Sequence, residues 1–276
     1  MVIMTYRRIL TIQDISCVGQ CSMTVAFPIL SACGHETCIL PSALLSTHTG
    51  GFGQPTIMNL TSGMEAIWHH WERQGIRFDA IYIGYLGSVE AIRIASELTD
   101  ALLNPDGVLI VDPAMADHGK LYSGLDSVYA EAMRALCLRA DIMLPNITEA
   151  AMMTGMPYSD TIDEEYVRSL LKHLGGKNVV LTGVGFSPDQ TGAAVRGHEG
   201  ISFYLHPRIG VSYSGTGDIF ASAFTGAYMQ DKSLEQAVRI ASDYTLACIQ
   251  NTFEKPAHWY GVKFETVLPY LMELLK

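Results

Sequence analysis

The feature that most constrains the fold is a regular alternation of strand-like and helix-like segments along the 276 residues. The strand-like segments are short apolar runs such as Ala80–Gly84 (AIYIG) and Asn178–Thr182 (NVVLT), and helix-like segments separate them. Continuous apolar strands are typical of a parallel sheet that helices cover on both faces. The alternation therefore predicts an α/β fold, a three-layer αβα sandwich around a mostly parallel central sheet.

The alternation breaks near residue 190. Gly192–Arg196 and Gly200–Leu205 look like paired strands without an intervening helix, so we predict an antiparallel edge to the sheet. The other predicted strands are Arg8–Gln13, Glu36–Pro41, Ala80–Gly84, Val108–Asp112, Asp141–Pro145 and Asn178–Thr182. The predicted helices are Gln20–Cys33, Ser62–Gln74, Ser88–Leu103, Asp126–Arg139, Ile147–Thr154, Glu164–Leu174, Asp218–Met229, Ser233–Gln250 and Phe264–Leu275. A capping box of Ser62 and Glu65 is expected to begin the second of these helices.

The composition describes a chain that can bury a large core. Hydrophobic residues make up 49% of the sequence and charged residues 17%, which excludes a disordered chain. No long Pro/Ser linker, composition shift or internal repeat divides the sequence. We therefore expect residues 1–276 to form one domain.

The charge and the apolar patterning restrict the partners. A formal net charge of −10 argues against a nucleic-acid or anionic-membrane surface. No apolar run approaches the roughly 20 residues that a membrane-spanning helix needs, and Met1–Arg8 lacks the apolar core of a secretion signal. The six cysteines are scattered through apolar segments, which indicates reduced thiols. These features predict a cytoplasmic protein.

The stretch Ser214–Ser222 (SGTGDIFAS) is the strongest candidate for a functional site. Two glycines bracket Thr216, and Asp218 follows in the first turn of a predicted helix. A glycine-rich turn at a helix N-terminus presents free backbone N–H groups at the positive end of the helix dipole, which favours an anion. A carboxylate beside such a site suggests a base that deprotonates a hydroxyl group while the turn holds phosphoryl oxygens. The structural alternative is a capped helix after a glycine turn, because short glycine motifs also arise by chance.

Polar residues collect at the carboxyl ends of the predicted strands, where open α/β sheets bind ligands. Such residues follow the first strand and four later ones, and packing alone does not explain their convergence on a glycine-rich anion turn. We therefore predict a functional cleft at this edge of the sheet. The residues are Gln13, Asp14, Ser16, Tyr85, Asp112, Asn146, Glu149 and Thr182.

The chemistry of this set favours phosphoryl transfer. The carboxylates of Asp112 and Glu149, with the amide of Asn146, are hard oxygen ligands that suit Mg²⁺ held largely through water and substrate phosphates. The absence of GxxxxGK[ST] excludes a P-loop NTPase, and no GxGxxG follows the first strand, which weighs against a dinucleotide site. A metal-neutralised donor, an anion cradle and a base for the hydroxyl proton are what a kinase needs.

Short motifs along the chain also match those of a known family. They are Ser16 in the first strand-to-helix turn, Ser46–Gly50 (STHTG), Gly84–Ser88 (GYLGS), Asp112–Met115 (DPAM), Gly119–Tyr122 (GKLY), Pro145–Glu149 (PNITE) and Gly215–Asp218 (GTGD). With these motifs the chain resembles, over essentially its whole length, the pyridoxal kinases of the ribokinase-like superfamily. The resemblance implies a ribokinase-like fold and an enzyme that uses ATP to phosphorylate the 5′-hydroxymethyl group of pyridoxal, pyridoxamine or pyridoxine.

The resemblance also implies a role for each matching residue. Asp218 would be the base on the hydroxyl group, and the amides of Gly215, Thr216 and Gly217 would hold the transferring phosphoryl group. The substrate-binding residues would be Ser16, His48, Thr49, Tyr85 and Asp218. The nucleotide-binding residues would be Asp112, Tyr122, Asn146, Glu149, Thr182 and Thr216, with Asp112 and Glu149 near Mg²⁺, partly through water. ATP and Mg²⁺ are implied, a homodimer is common in the family, and dependence on a monovalent cation stays open.

Two departures from the family pattern lie near the expected substrate pocket. Ala114–Ala116 (AMA) stands where these kinases more often have a valine and a glycine, and Gly51–Gly53 (GFG) stands where larger aromatic residues are common. They leave the preferred vitamer open. A hydroxymethylpyrimidine kinase of the same superfamily is the enzyme alternative. A vitamin or nucleotide sensor on the same fold is the non-enzyme alternative, which the intact Asp218 disfavours.

Overall fold

The computed structural model describes residues 4–253 and 258–276. Its strands are β1 (Arg8–Ser16), β2 (Glu36–Leu45), β3 (Ile57–Asn59), β4 (Phe78–Ile83), β5 (Leu103–Val111), β6 (Ala116–Asp117), β7 (Lys120–Leu121), β8 (Ile142–Met143), β9 (Asn178–Thr182), β10 (Gln190–Gly197) and β11 (Gly200–Pro207). Its helices are α1 (Met23–Ala32), α2 (Thr61–Arg73), α3 (Val89–Leu102), α4 (Ser127–Arg139), α5 (Ile147–Thr154), α6 (Glu164–His173), α7 (Thr216–Tyr228), α8 (Leu234–Phe253) and α9 (Leu268–Leu274). A 3₁₀ turn, Glu265–Val267, precedes α9.

A large sheet forms the centre of the fold. Within the described ranges it has nine strands in the order β11-β10-β9-β8-β5-β4-β1-β2-β3. The strands from β9 to β2 in this order pair in parallel, whereas β10 pairs antiparallel with both β9 and β11. The predicted mostly parallel sheet with an antiparallel edge is therefore confirmed. The antiparallel strand β3 at the other edge was not predicted, because it is only three residues long and exposed.

Helices cover both faces of this sheet. One buried cluster joins α2, α3, α4, α5 and α6 to strand residues such as Leu10 and Ile81, and a second cluster joins α1, α7, α8 and α9 to residues such as Ile9 and Tyr82. Neighbouring residues of a strand point to opposite faces, so β1 contributes Ile9 to one cluster and Leu10 to the other. The predicted three-layer αβα sandwich is confirmed.

The start of α2 differs from the prediction. The helix begins at Thr61, its N-cap residue is Leu60, and no side chain caps it, so the predicted capping box of Ser62 and Glu65 is absent. The side chain of Asn59 instead accepts a hydrogen bond from the N–H of Thr61 at 2.8 Å. An Asx-type turn therefore replaces the capping box.

Other boundaries also moved. α1 begins at Met23 rather than Gln20, and β5 extends back to Leu103 rather than starting at Val108. The segment between the predicted strand Val108–Asp112 and the predicted helix Asp126–Arg139 contains a short hairpin formed by β6 and β7. Within the part of the chain that the structure describes, no helix combines the length and apolarity needed to cross a membrane.

Candidate active site

The carboxyl ends of the parallel strands open into a cleft of about 810 Å³. Loops that follow the central strands reach it, because the carboxyl ends of parallel strands meet at one edge of a sheet. All the residues to which the family resemblance gives a role line this cleft, although they come from distant parts of the sequence. They are Ser16, His48, Thr49, Tyr85, Asp112, Tyr122, Asn146, Glu149, Thr182, Gly215, Thr216, Gly217 and Asp218. Gln13, which was also predicted at the cleft, is fully buried and hydrogen-bonded to Thr11 instead.

The turn before α7 forms one wall of the cleft. Gly215 is the N-cap residue of the helix and has a φ of 81°. A Cβ atom on Gly215 would lie 1.9 Å from the carbonyl oxygen of Gln20, so a larger residue requires the backbone to move. The space beside Gly217 is open. The first N–H groups of a helix have no intrahelical partner, so this turn can bind an anion in the cleft.

Asp218 lies in the first turn of α7 and is partly exposed to the cleft. Burial raises the pKa of its carboxyl group to about 7; a hydrogen bond from the backbone of Ser22 opposes this rise, and the negative charge of Asp14 adds to it. A carboxylate with a pKa near neutrality can accept a proton from a hydroxyl group under ordinary conditions. Asp218 therefore has the environment that the predicted base requires.

Asp112 follows β5 and is also partly exposed to the cleft. Its Oδ1 accepts a hydrogen bond from the N–H of Ala114 at 3.2 Å. Burial, with the negative charges of Glu149 and Asp218, raises the pKa of Asp112 well above its usual value. No ion pair among the described residues neutralises these acids. Their ionised forms therefore favour a cation in the cleft.

Glu149 has a structural use that the sequence did not reveal. It is only 1% exposed; its Oε1 accepts the N–H of Met115 at 2.8 Å, and its Oε2 accepts the N–H of Asn146 at 2.9 Å. Asn146 Oδ1 accepts the N–H of Glu149 in return, which completes a capping box at the start of α5. Burial raises the pKa of Glu149 to about 7, and these backbone hydrogen bonds oppose the rise. Glu149 thus ties α5 to the loop after β5.

Replacing Glu149 with alanine is expected to lower the free energy of unfolding by about 2–4 kcal/mol, because several backbone N–H groups lose their acceptor. Urea denaturation measures this change. Glu131, exposed on α4, is the matched control, and Glu131→Ala should change stability by less than about 0.5 kcal/mol. Unchanged stability in Glu149→Ala would show that these hydrogen bonds do not hold the two segments together.

The end of β1 and the loop after β2 hold three of the predicted substrate residues, Ser16, His48 and Thr49. The hydroxyl of Ser16 donates to Oδ2 of Asp14 at 3.2 Å, so it is already engaged. Nδ1 of His48 accepts the N–H of Gly50 at 2.8 Å, and burial lowers the pKa of His48. A neutral imidazole bound to its own loop fits an orienting role better than a catalytic one.

Aromatic side chains lie next to these loops. The ring of Phe52 lies edge-on to His48, with centroids 5.3 Å apart, and 4.7 Å from the ring of Trp259. The segment that contains Trp259 therefore packs on the loop that contains Phe52. Burial and the charge of Asp14 raise the pKa of Tyr85, so its phenol stays protonated and can donate a hydrogen bond to a ligand.

The loops on the other side of Asp112 hold the predicted nucleotide residues. Tyr122 follows β7, and its N–H donates to the carbonyl oxygen of Met115 at 2.8 Å, which fixes the loop at the cleft. Thr182 ends β9, and its N–H donates to the carbonyl oxygen of Pro145 at 2.9 Å. The bond of Tyr122 continues the hairpin of β6 and β7, and the bond of Thr182 extends the pairing of β9 beyond β8. Both residues line the cleft.

Several cleft residues were not predicted. Ser242 and Thr245 lie within α8 and carry no motif that could have marked them. The unpredicted residues that line the cleft include Cys21, Ser22, Ser42, Tyr213, Ser242 and Thr245. Asp14, near the end of β1, was predicted to lie at the cleft, and the structure places it there, but the sequence assigned no role to it.

The family model described as phosphomethylpyrimidine kinase matches residues 66–262. The chain belongs to this family. It is therefore an ATP-dependent kinase of the ribokinase-like superfamily, as the motifs predicted, and its fold is that of the family's solved members.

Relatives of this kinase carry two kinds of name. The chain is 28% identical over 263 residues to the pyridoxal kinase PdxY of Corynebacterium diphtheriae, and the aligned region covers 89% of each protein. The crystal structure of pyridoxal kinase from Lactobacillus plantarum superposes with a TM-score of 0.90 at 33% identity, over 97% of each chain. A putative phosphomethylpyrimidine kinase from Bacteroides thetaiotaomicron, crystallised with pyridoxal, gives a TM-score of 0.91 at 34% identity, over 96% of this chain and 95% of that one.

Proposed function

We propose that this kinase transfers the γ-phosphoryl group of ATP to the 5′-hydroxymethyl group of pyridoxal, pyridoxamine or pyridoxine. The observation that carries the proposal is the convergence of all the predicted substrate, transfer and nucleotide residues on one cleft. Pyridoxal kinases among the relatives support the same substrate class. We further propose that residues 1–276 act as one kinase domain.

In this mechanism Asp218 accepts the proton of the 5′-hydroxyl group as the hydroxyl oxygen attacks the γ-phosphorus atom of ATP. The bond between that phosphorus and the oxygen bridging to the β-phosphate breaks, and ADP leaves. The N–H groups of Gly215, Thr216 and Gly217 stabilise the charge on the phosphoryl oxygens, since free donors at a helix N-terminus favour negative charge. Loops around Phe52 and Tyr122 restrict water at the cleft, which protects the phosphoryl group from hydrolysis.

The acids of the cleft fit Mg²⁺ bound through ATP. No group of three His, Cys, Asp or Glu side chains among the described residues could hold a metal ion by itself. Asp112 has an oxygen free of hydrogen bonds to the described residues and would contact the ion, while Glu149, with both oxygens bonded to backbone, would act through water. When bound, Mg²⁺ neutralises the phosphates of the nucleotide.

The pH dependence of kcat/KM is expected to report Asp218. Its pKa is raised to about 7 by burial, and the base works only when ionised, so kcat/KM should fall about tenfold per pH unit below this value and level off above it. Steady-state assays from about pH 5 to pH 9 measure the profile. Two acceptors whose own pKa values differ serve as the control. If kcat/KM falls at the same pH with both acceptors, the group that titrates belongs to the protein and not to the acceptor. A flat profile between about pH 5 and pH 7 would contradict the assignment.

A kinase for hydroxymethylpyrimidine is the second candidate, because the family model is described as phosphomethylpyrimidine kinase and two relatives are named hydroxymethylpyrimidine/phosphomethylpyrimidine kinase. The matched region begins at residue 66 and leaves out the segments that hold Ser16, His48 and Thr49. We expect the residues of these segments to determine which acceptor the kinase binds.

One experiment separates the candidates. The protein is incubated with Mg·ATP and, separately, with pyridoxal, pyridoxamine, pyridoxine and hydroxymethylpyrimidine, and products are identified by mass. Phosphorylated vitamers support the proposal, whereas phosphorylation of the pyrimidine alone overturns it. Binding of these ligands without any phosphorylated product would favour the alternative of a vitamin or nucleotide sensor.

We also propose that the kinase works as a homodimer in the cytoplasm. Ile57 and Met58 are 58% and 57% exposed on the edge strand β3, and exposed apolar residues on a sheet edge favour a protein partner. Light scattering of the purified protein gives its mass directly.

A further inference from the structure

Asp14 is a buried carboxylate that lines the cleft. It is only 4% exposed, and it lies near the end of β1 between Gln13 and Ile15. The pairing of β1 with β2 shifts in register at this point, where Ser42 and Ala43 of β2 lie opposite the single residue Asp14. A bulge of this kind re-aims side chains and is common beside active sites.

No cationic side chain among the described residues pairs with this carboxylate. Its Oδ2 accepts a hydrogen bond from the hydroxyl of Ser16, and Ser22 also donates to it. None of the ion pairs in residues 4–253 and 258–276 includes Asp14. The groups that its charge acts on are the acids Cys21, Tyr85 and Asp218. A buried carboxylate without a cation is costly, so a positively charged ligand would relieve the cost.

The chemistry of a vitamin B6 vitamer supplies such a charge. Its pyridine nitrogen is basic and carries a proton when the neighbouring ring hydroxyl is ionised. That nitrogen and the 5′-hydroxymethyl group flank the same ring carbon, so a carboxylate near the base Asp218 can reach the ring N–H. The ring nitrogens of an aminopyrimidine are weaker bases, so a smaller fraction of that acceptor carries a ring proton at neutral pH.

We propose that Asp14 is a specificity-determining residue whose carboxylate accepts a charge-assisted hydrogen bond from the protonated ring nitrogen of the acceptor. The proposal rests on the proposed function and adds the means by which the cleft selects a pyridine over a pyrimidine. Ser16 then holds the carboxylate of Asp14 in place, instead of binding the substrate ring itself.

The test compares Asp14→Asn and Asp14→Ser with the unaltered kinase, using pyridoxine and hydroxymethylpyrimidine as acceptors. Either variant should raise the KM for pyridoxine by about 10- to 100-fold, the range of a charge-assisted hydrogen bond, and leave kcat within about fivefold. The KM for the pyrimidine should change by less than about threefold, because most of that acceptor is uncharged at neutral pH. Asp106→Asn, at an exposed position near the start of β5, is the control and should leave both KM values unchanged.

The melting temperature without ligand distinguishes this role from a structural one. If Asp14 stabilised the fold, both substitutions would lower Tm. Removal of an uncompensated buried charge should leave Tm unchanged or raise it. A pyridoxine KM within about threefold of the unaltered kinase, or a lowered Tm in both variants, overturns the proposal. If the unaltered kinase phosphorylates no vitamer, the proposed function fails first and the role of Asp14 fails with it. If the unaltered kinase phosphorylates the vitamers and the Asp14 variants have the same KM for pyridoxine, only this inference is wrong and the proposed function stands.

Discussion

Asp218→Asn is expected to lower kcat about 100-fold or more and to change the KM for ATP by less than about fivefold. The amide keeps the shape of the side chain but cannot accept the hydroxyl proton, so the chemical step slows while nucleotide contacts remain. Steady-state kinetics with pyridoxine as acceptor measures both constants. Asp106→Asn is the control, because this aspartate is exposed and lies at the far end of β5 from the cleft. A kcat within about threefold of the unaltered kinase would remove Asp218 from the mechanism.

The same variant should gain stability above neutral pH. Burial raises the pKa of Asp218 from 3.8 to about 7, so the folded state holds the proton more tightly than the unfolded chain. The favourable contribution of the protonated group is complete below its usual pKa and is lost as the pH rises through about 7. Asp218→Asn stays neutral, so its melting temperature should exceed that of the unaltered kinase at pH values above this window.

Gly215→Ala is expected to lower kcat by about 100-fold or more and also to lower the melting temperature. The added Cβ atom meets the carbonyl oxygen of Gln20 at 1.9 Å, and the φ of 81° disfavours any side chain. Because the collision is with backbone, the turn itself must move, and its N–H groups leave the positions that phosphoryl transfer needs. Kinetics and thermal melting on the same samples measure the two effects.

Gly63→Ala is the matched control for this substitution. Gly63 lies in α2, and a Cβ atom there meets nothing within 4 Å, so alanine should leave kcat unchanged and stability equal or slightly higher. A Gly215→Ala variant with normal kcat would show that the turn can shift without disturbing transfer, which would contradict its proposed role as the anion site.

Much of the fold could be predicted because its determinants are local. Continuous apolar strands such as Val179–Leu181 and the helices between them are repeated often enough to specify a parallel sheet. The position of the cleft followed from the same pattern, since the carboxyl ends of parallel strands meet. Asp112 and Asp218 stand directly after a strand and directly after a glycine turn, and both reach the cleft.

The roles that were missed depend on contacts between distant segments. Glu149 resembles a metal ligand in the sequence, and only the fold shows that it accepts hydrogen bonds from Met115 and Asn146. The sequence also does not show that Ser16 is bonded to Asp14. The hairpin of β6 and β7 is short enough that its polar residues look like an ordinary loop.

The order of the strands has a consequence for how such kinases diversify. β1 to β4 form one contiguous half of the sheet, and β5 with β8 to β11 forms the other. The residues that we assign to the acceptor, apart from Asp218, lie on loops of the first half, and those for the nucleotide and the transfer lie on the second half and α7. Exchange of the amino-terminal portion of the gene could therefore change the acceptor specificity while the residues for phosphoryl transfer stay the same. The backbone of Gln20 lies against Gly215, so the two portions must remain compatible at this contact.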